Sequence, residues 1–355
     1  MRVGLSLLTL NPGISGGSET YARKLAQALS QVGAHTYVAL VPPVAADAGD
    51  GLPTVVADHY PSSTTRTKRL RGMGTAALRP ARLRALVGSV DVMHYPLTVP
   101  VPPPATPHVV TLLDVQHLDV PAFFSRGERL FRRLAYDRAS RRAGEVIVIS
   151  EFVRERAVER LGLDPDHVHT VFLGVDHDRF SPARDGSREP LLLYPARPWP
   201  HKNHARLLAA FAQIRRDRPE LRLLLTGAGH DPRALPKGVE ARHVTDAELA
   251  ELYRRAACLV FPSLYEGFGL PPVEAMACGC PVAAAAAGSL PEVCGDAAVL
   301  FDPLDPEAIA AGVEEALARS DELSERGLRR AAAFTWEATA RAHDRIYGLL
   351  ARQTT

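Results

Sequence analysis

The sequence predicts two parallel α/β domains in tandem. A chain of 355 residues is too long for one ordinary hydrophobic core and suits two. Its 46% apolar and 23% charged residues are typical of a globular protein. Short apolar runs alternate with longer segments of helical period in both halves. Because parallel strands are joined through helices, this alternation predicts doubly wound sheets with helices on both faces.

The N-terminal half contains five apolar runs of strand length. The predicted strands cover residues 3–9, 34–41, 90–94, 109–113 and 145–149. Between the first two, residues 20–30 place Tyr21, Leu25, Ala28 and Leu29 on one side of a helix. This order of strand and helix predicts the first parallel sheet.

The same pattern returns after a turn-rich linker at residues 174–189, which includes Asp185 and Gly186. The second set of predicted strands covers residues 191–195, 221–226, 258–262 and 281–284, and its predicted helices cover residues 204–216, 246–256 and 271–278. A final amphipathic helix, near residues 336–351, suits packing onto either domain.

Composition excludes several classes of protein. With 42 Lys and Arg against 40 Asp and Glu, the net charge of +2 is too small to indicate a nucleic-acid partner. No run approaches the ~20 apolar residues of a spanning helix, and the N-terminus resembles a strand more than a signal peptide. We therefore expect a cytoplasmic protein.

The cysteines do not form a recognisable metal or disulfide pattern. All four lie in the second half and none belongs to a CxxC pair: Cys258, Cys278, Cys280 and Cys294. We expect reduced thiols.

Two basic stretches lie in the N-terminal half. They comprise Arg66, Lys68, Arg69, Arg71, Arg79, Arg82 and Arg84, and then Arg126, Arg129, Arg132, Arg133, Arg138, Arg141 and Arg142. Solvated helix faces are one interpretation. Attraction to an anionic acceptor or to a membrane surface, with peripheral contact at its inner face, is the other.

The most informative segment covers residues 262–282, which combine a strand end, a glycine loop and a helix start. Gly267 and Gly269 allow close approach of the backbone to a ligand. Pro271 suits the first helical turn, where we also expect Glu274, and the free N–H groups there suit a diphosphate. Glu266 and Glu274 are eight residues apart and can flank one molecule, and carboxylates accept paired hydroxyl hydrogen bonds.

This segment resembles the E-x7-E signature of the family 4 glycosyltransferases, which have the GT-B fold. The matching residues are Glu266, Gly267, Phe268, Gly269, Leu270, Pro271, Glu274, Ala275, Met276, Ala277, Gly279, Pro281 and Val282. The resemblance implies two facing Rossmann-like domains with a donor cleft between them. The expected domains are residues 1–177 on the acceptor side, 178–334 for the nucleotide sugar, and a helix at 335–355 returning to the first.

A second match lies upstream, where residues 194–203 resemble the family's R-x4-K-N segment. It implies that Arg197 and Lys202 neutralise the donor's phosphates and stabilise the leaving nucleotide diphosphate. Ala196 stands where the family usually has glycine. A surface pair of cations is the alternative.

Two N-terminal segments match less closely. Gly16 and Gly17 resemble the family's glycine loop beside the donor phosphates, although a plain turn with Ser18 capping the helix fits equally. Leu113 replaces the histidine of the family's T-x-H-D segment, beside Asp114 on the acceptor side. His117 is the candidate substitute catalytic imidazole, with a structural histidine as the alternative.

The resemblance implies a retaining, metal-independent hexosyltransferase without a cofactor. Glu266 would hold the sugar hydroxyls, Glu274 the ribose, and residues 266–270 the donor as a whole. The donor would be GDP-mannose or a UDP-sugar, and the acceptor a hydroxyl of a glycan, lipid or small molecule. Alternatives are a related GT-B sugar-nucleotide reaction and a nucleotide-sugar-binding protein with weak activity. An NAD(P)-dependent dehydrogenase would need a GxGxxG fingerprint, which residues 12–20 do not match.

Overall fold

The computed structural model describes residues 1–13, 16–61, 66–182 and 188–353, and for residues 66–71 the backbone alone. It divides into two compact units. Unit 1 comprises Met1–Gly174 and Trp336–Thr355, and unit 2 comprises Val175–Thr335. The change of unit coincides with the start of the predicted linker, whose residues Asp185 and Gly186 lie outside the described residues.

Unit 1 contains a seven-stranded parallel sheet in the order β3-β2-β1-β4-β5-β6-β7. Its strands are β1 Arg2–Ser6, β2 Thr36–Val41, β3 Thr54–Val56, β4 Val92–Tyr95, β5 His108–Leu112, β6 Glu145–Val148 and β7 Val168–Thr170. Its helices up to the linker are α1 Gly17–Val32, α2 Arg66–Leu78, α3 Pro80–Val87, α4 Gln116–Asp119, α5 Arg126–Arg132, α6 Arg138–Ser140 and α7 Glu151–Leu161. A π-helical turn, Arg133–Asp137, joins α5 to α6.

The sheet of unit 1 is covered on both faces. All residues of β4 and β5 are buried, as expected for central strands of a parallel sheet. One face carries Met93, Tyr95 and Val110, which belong to a core cluster with Leu83 of α3 and Ala139 of α6. Since side chains alternate along a strand, residues 94 and 111 point to the other face.

Unit 2 contains a six-stranded parallel sheet in the order β10-β9-β8-β11-β12-β13. Its strands are β8 Glu189–Pro195, β9 Arg222–Thr226, β10 Val239–Arg242, β11 Ala256–Phe261, β12 Val282–Ala285 and β13 Val299–Phe301. Its helices are α8 His204–Asp217, α9 Asp246–Arg255, α10 Leu270–Ala277, α11 Leu290–Cys294, α12 Pro306–Ala318 and α13 Ser320–Ala331.

The last helix, α14 Trp336–Gln353, belongs to unit 1. It packs beside α1 on the face of the sheet that holds His94. His343 Nε2 lies 2.9 Å from Tyr21 Oη, and Tyr347 Oη lies 2.8 Å from His94 Nδ1. These buried bonds satisfy polar groups that would otherwise cost free energy inside the unit, so they favour one packing of the helix.

The sequence-based prediction of parallel α/β sheets is confirmed. The nine predicted strands all form, with ends that differ by a few residues, and four short strands were not predicted: β3, β7, β10 and β13. Across the described ranges, none of the helices has both the length and the apolar character needed to cross a membrane. The four cysteines are free and buried.

Candidate functional site

Two strand ends in unit 2 bring together charged residues that are far apart in sequence. Strands β8 and β11 are parallel neighbours, so the loops that follow them leave the same edge of the sheet. The first loop carries Arg197 and Lys202, and the second carries Glu266. Lys202 Nζ lies 2.5 Å from Glu266 Oε1, and each side chain is 14% exposed. The pair therefore combines a close contact with access from solvent.

Asn203 fixes the loop that carries Lys202. Its backbone is left-handed, with φ 60°, a conformation that asparagine tolerates better than most residues. Its buried amide donates to the carbonyls of Pro262, at 3.0 Å, and Pro303, at 2.7 Å. The Leu264 N–H also donates to the His201 carbonyl at 2.8 Å. The two loops are thus hydrogen-bonded to each other beside the ion pair.

A second tether holds the backbone of Glu266. Ser289 Oγ donates to the carbonyls of Glu266, at 3.1 Å, and Phe268, at 2.8 Å. Gly288 has φ +61°, and a Cβ there would lie 2.8 Å from the Glu266 backbone. Glycine is therefore required at this close approach. No role was predicted from the sequence for Asn203, the last residue of the R-x4-K-N segment, or for Ser289.

Helix α10 begins at the end of the glycine loop. Gly269, at φ +104°, is the N-cap residue and no side chain caps the helix. Because Pro271 and Pro272 have no N–H, the first turn presents the Leu270 N–H to an anion. At the other end Gly279, at φ +70°, donates to Met276, and Cys280 donates to Ala275. This Schellman motif confirms the predicted helix stop at Gly279.

The predicted position of Glu274 in the first turn of the helix is wrong. Since α10 starts at Leu270, Glu274 is its fifth residue and lies in the second turn. Its Oε2 accepts a hydrogen bond from Tyr253 Oη at 3.1 Å. Burial raises the pKa of Glu274 to about 7, and Asp246 adds to this rise while the Tyr253 bond opposes it. The helix dipole is therefore not what holds this carboxyl group.

Two residues predicted to bind the donor contribute mainly backbone. The ring of Phe268 is buried and packs edge-on against Phe334, with centroids 5.6 Å apart. Leu270 is the first helical residue, so its N–H makes no bond within the helix. Gly267 lies between Glu266 and Phe268 in the same loop. This part of the motif offers N–H groups more than side chains.

Arg197 is placed by packing of its backbone and side chain. A Cβ at Gly227, after β9, would lie 3.2 Å from the Arg197 nitrogen, so the two strand-end loops touch. The guanidinium carbon lies 5.8 Å from the ring centre of Trp199, which is 45% exposed. This cation–π contact orients Arg197 at the same sheet edge as Lys202.

The glycine loop of unit 1 contains the N-cap of α1. Gly16 is that N-cap, with φ +52°, and Gly17 starts the helix. Ser18 is the second helical residue, so the alternative in which it caps the helix is wrong. The Gly13 N–H donates to Glu19 Oε2 at 2.9 Å. Residues 14 and 15 of this predicted loop, Ile14 and Ser15, lie outside the described residues.

Asp114 closes a turn after β5. Its Oδ1 accepts from the Gln116 N–H and from Arg132, both at 3.0 Å. The Arg132 guanidinium in turn lies 4.7 Å from the centre of the Phe124 ring. Asp114, which was predicted on the acceptor side, therefore caps this turn.

The structure does not support direct contact between His117 and a sugar. The side chain is 0% exposed, and its Nε2 lies 2.9 Å from Oδ1 of the buried Asp137. The ring packs edge-on against Tyr136. Because its ring is buried inside unit 1, the geometry favours the structural alternative for His117. Leu113, at the family's histidine position, is only partly buried.

No set of three or more His, Cys, Asp or Glu side chains among the described residues is arranged to hold a metal ion. Four sequence-predicted residues lie in unit 2: Arg197, Lys202 and Glu266 follow the carboxyl ends of β8 and β11, and Glu274 lies on α10. Asp114 and His117 belong to unit 1 and are engaged in its internal bonds.

Two family models match the chain. The model described as Glycosyltransferase Family 4 matches residues 15–179, and the model described as Glycosyl transferases group 1 matches residues 177–332. Their junction lies within a few residues of the change of unit after Gly174.

Several known proteins are similar to this chain. O-antigen chain mannosyltransferase B of Escherichia coli is 30% identical over 64% of this chain and 67% of its own length. MMP alpha-(1->4)-mannosyltransferase of Mycolicibacterium hassiacum is 33% identical over 59% of this chain and 55% of its own length. The chain thus spans between about half and two thirds of these relatives.

Solved structures match over nearly the full chain. Sucrose-phosphate synthase from Thermosynechococcus elongatus has a TM-score of 0.79 at 24% identity, covering 100% of this chain and 99% of its own. Anabaena HepE, in complex with UDP-glucose, has a TM-score of 0.72 at 17% identity, covering 99% and 100%. At these identities the likeness establishes the GT-B fold. The two family models and the Escherichia coli relative show that the chain belongs to glycosyltransferase family 4.

Proposed function

We propose that this protein is a retaining, metal-independent glycosyltransferase that moves a hexose-type sugar from a nucleotide diphosphate to a hydroxyl acceptor. The observation that carries the proposal is the partly exposed Lys202–Glu266 pair at the carboxyl ends of two neighbouring strands. A cation and an acid there match two neighbouring parts of a nucleotide sugar: the cation suits the phosphate oxygens, and the acid suits the sugar hydroxyls.

The cations act on the leaving group. As the bond between the sugar and the diphosphate breaks, negative charge grows on the phosphate oxygens. Arg197 and Lys202 stabilise this charge, and the Leu270 N–H at the start of α10 adds to it. In this proposal they supply the charge stabilisation for which other transferases use a metal ion.

The two glutamates orient the donor through hydrogen bonds to its sugar and its ribose. Glu266 accepts hydrogen bonds from the sugar hydroxyls, and Glu274 accepts them from the ribose. When a donor binds, its phosphate replaces part of the Lys202–Glu266 contact, so that Glu266 is released toward the sugar. Departing phosphate oxygens take the acceptor's proton on the same face, which preserves the anomeric configuration without a protein nucleophile.

Relatives guide the choice of donor and acceptor. Two of them are named mannosyltransferases, and the HepE structure contains UDP-glucose. We therefore propose GDP-mannose or a UDP-hexose as donor, and a glycan, lipid-linked or small-molecule hydroxyl as acceptor.

A second candidate function is nucleotide-sugar binding with weak or no transfer. It is favoured by Leu113, which supplies no imidazole at the family's histidine position, and by the interior position of His117. On this alternative, unit 2 would bind donor while transfer remains slow.

One experiment separates the two functions. A thermal-shift panel of nucleotide sugars identifies the donor, and that donor is then incubated with the protein and a set of acceptor alcohols. We expect a glycoside whose anomeric proton, read by NMR, has the configuration of the donor. Donor binding without transfer or hydrolysis would favour the second candidate, and an inverted product would contradict the retaining mechanism. Activity that EDTA abolishes and Mg²⁺ restores would contradict the roles of Arg197 and Lys202.

A further inference from the structure

Positive charge is concentrated in two segments of unit 1. Residues 59–90 contain seven Arg and Lys residues and no acid, and residues 120–142 contain seven arginines with only Glu128 and Asp137 as acids. The whole chain has 42 basic and 40 acidic residues, so the rest of it is net acidic. The small net charge of the chain therefore conceals a strongly uneven distribution.

The described helices of the two segments pack on the same face of the seven-stranded sheet. Leu83 and Val87 of α3 and Ala139 of α6 belong to one core cluster with Met93 and Tyr95 of β4. Helices α1 and α14 lie on the opposite face. The outward sides of the end of α2, of α3 and of the α5–α6 segment therefore point away from one face of unit 1.

The outward sides of these helices carry leucines between the arginines. Along the α5–α6 segment, exposed residues recur at intervals of three to four positions, with one adjacent pair at 133 and 134: Arg126, Leu130, Arg133, Leu134 and Arg138. Leu130 is 58% exposed and Leu134 is 61% exposed. Since a helix repeats every 3.6 residues, this spacing places leucines and arginines on one side.

The segment at residues 59–90 also combines exposed leucines with arginines. Leu78, at the end of α2, is 85% exposed, and Leu86 of α3 is 39% exposed. Arg79 and Arg82 are exposed beside them. Single exposed leucines are common on protein surfaces, but here exposed leucines occur on both basic segments.

The two acids at residues 120–142 offset only a small part of the charge of the seven arginines there. Glu128 forms a capping box with Ser125, and Asp137 is buried against His117. No ion pair is recorded for Arg126, Arg133 or Arg138 among the residues that the structure describes. The charge of this surface is thus available to an anionic partner.

We propose that this face of unit 1, with Leu78, Leu86, Leu130 and Leu134 among its arginines, docks on an anionic lipid bilayer. Arginine heads would contact lipid phosphates while their stems and the leucines enter the interface between headgroups and acyl chains. A nucleic acid would bind the arginines through its phosphates, but those contacts would leave the leucines without an apolar surface to pack against. The proposal is independent of the proposed transfer reaction.

Vesicle co-sedimentation of the full chain tests the proposal without any activity measurement. We expect binding to vesicles of phosphatidylcholine with phosphatidylglycerol, little binding to phosphatidylcholine alone, and weakening with salt. Replacing both Leu130 and Leu134 with Gln should lower the partition coefficient about tenfold. The double change Arg133→Gln and Arg138→Gln should lower it about 20-fold at low salt.

Matched controls lie in unit 2. Leu304 is 60% exposed, so Leu304→Gln tests an equally exposed leucine, and Arg326→Gln with Arg329→Gln tests two arginines of α13. Both controls should bind like the unchanged protein. Far-UV circular dichroism checks folding, and the arginine variant tests the surface independently of the leucine variant.

Three results would overturn the proposal. They are no binding to anionic vesicles at low salt, equal loss in the unit 2 controls, and loss with the arginine variant but none with the leucine variant. The last pattern, together with tight binding to a DNA duplex, would assign the surface to nucleic acid instead.

Discussion

The carboxyl ends of strands carry paired charged or polar side chains in both units, and the two units use them differently. In unit 2, Lys202 and Glu266 contact each other while each keeps 14% of its side chain exposed. In unit 1, His117 and Asp137 make a similar contact with 0% and 5% exposure. A pair open to solvent can exchange one partner for a ligand, whereas a buried pair cannot do so without local unfolding. Access, more than residue type, therefore distinguishes a binding pair from a structural one.

The strongest test of this comparison is removal of the unit 2 pair. Lys202→Ala or Glu266→Ala should each lower kcat/KM by about 100-fold or more, because each removes a contact to charge or hydroxyls in the transition state. Steady-state kinetics with the identified donor measures the loss. If both residues act on one ligand, the double variant should lose less than the product of the two single losses.

A matched control is the pair Arg218–Glu314, which joins α8 to α12 with side chains 43% and 37% exposed. Arg218→Ala and Glu314→Ala should leave turnover unchanged. Wild-type turnover in Glu266→Ala, or an equal loss in the control variants, would remove the site assignment.

Variants of Asn203 test whether its two amide hydrogen bonds stabilise the loop that carries Lys202. Asn203→Ala loses two buried hydrogen bonds and places alanine at φ 60°, so unit 2 should lose about 2–3 kcal/mol of stability. Asn203→Gly loses the same bonds but tolerates the backbone, so it should lose less. Urea unfolding measures both in a Trp336→Phe background, where Trp199 is the remaining tryptophan and reports on unit 2. If Asn203→Ala leaves the stability of this background unchanged, the amide bonds are not structural.

The pH dependence of donor binding tests Glu274. Its carboxyl has a pKa of about 7 in the folded protein, so at pH 6 about a tenth of the molecules carry the ionised form. Since the carboxylate accepts ribose hydroxyls better than the acid, donor affinity should rise about tenfold between pH 6 and pH 8. Glu274→Gln should abolish this slope, and titration calorimetry measures it.

The same shift affects stability with the opposite sign. A carboxyl whose folded pKa is raised favours the protonated folded state, so its contribution to stability falls as the pH rises from about 4.5 to about 7. Glu274→Gln should therefore stabilise the protein at pH 8 and much less at pH 5. A pH slope of binding that survives Glu274→Gln would assign the titration to another group.

The strands that could be predicted from the sequence are those in the interior of the sheets. The four missed strands, β3, β7, β10 and β13, are the outermost strands of the two sheets. Each has three or four residues and carries exposed or half-exposed positions. A buried strand needs a continuous apolar run, whereas an edge strand is fixed by pairing with its neighbour, which leaves little local signal.

The candidate site shows a similar limit. Glycines, prolines and acids at 266–274 predicted the loop and helix, because these residue types restrict the backbone locally. The bonds from Asn203 to Pro303 and from Ser289 to Phe268 join residues distant in sequence, so spacing alone could not show them. The same holds for His117, whose partner Asp137 lies twenty residues away on a π-helical turn.

Among the residues predicted to belong to the site, the smallest effect on turnover is expected at His117. Because its ring is buried, His117→Leu should leave kcat/KM within about threefold of the unchanged protein, while it lowers stability by about 1–3 kcal/mol through the unpaired Asp137 carboxyl. Replacing both partners with leucine should recover much of this stability, since no buried polar group is then left without a bond. Kinetics and urea unfolding of the single and double variants measure both effects. A single variant that melts normally but loses turnover about 100-fold would show that a buried strand-end pair can also be catalytic, and it would break the distinction drawn between the two units.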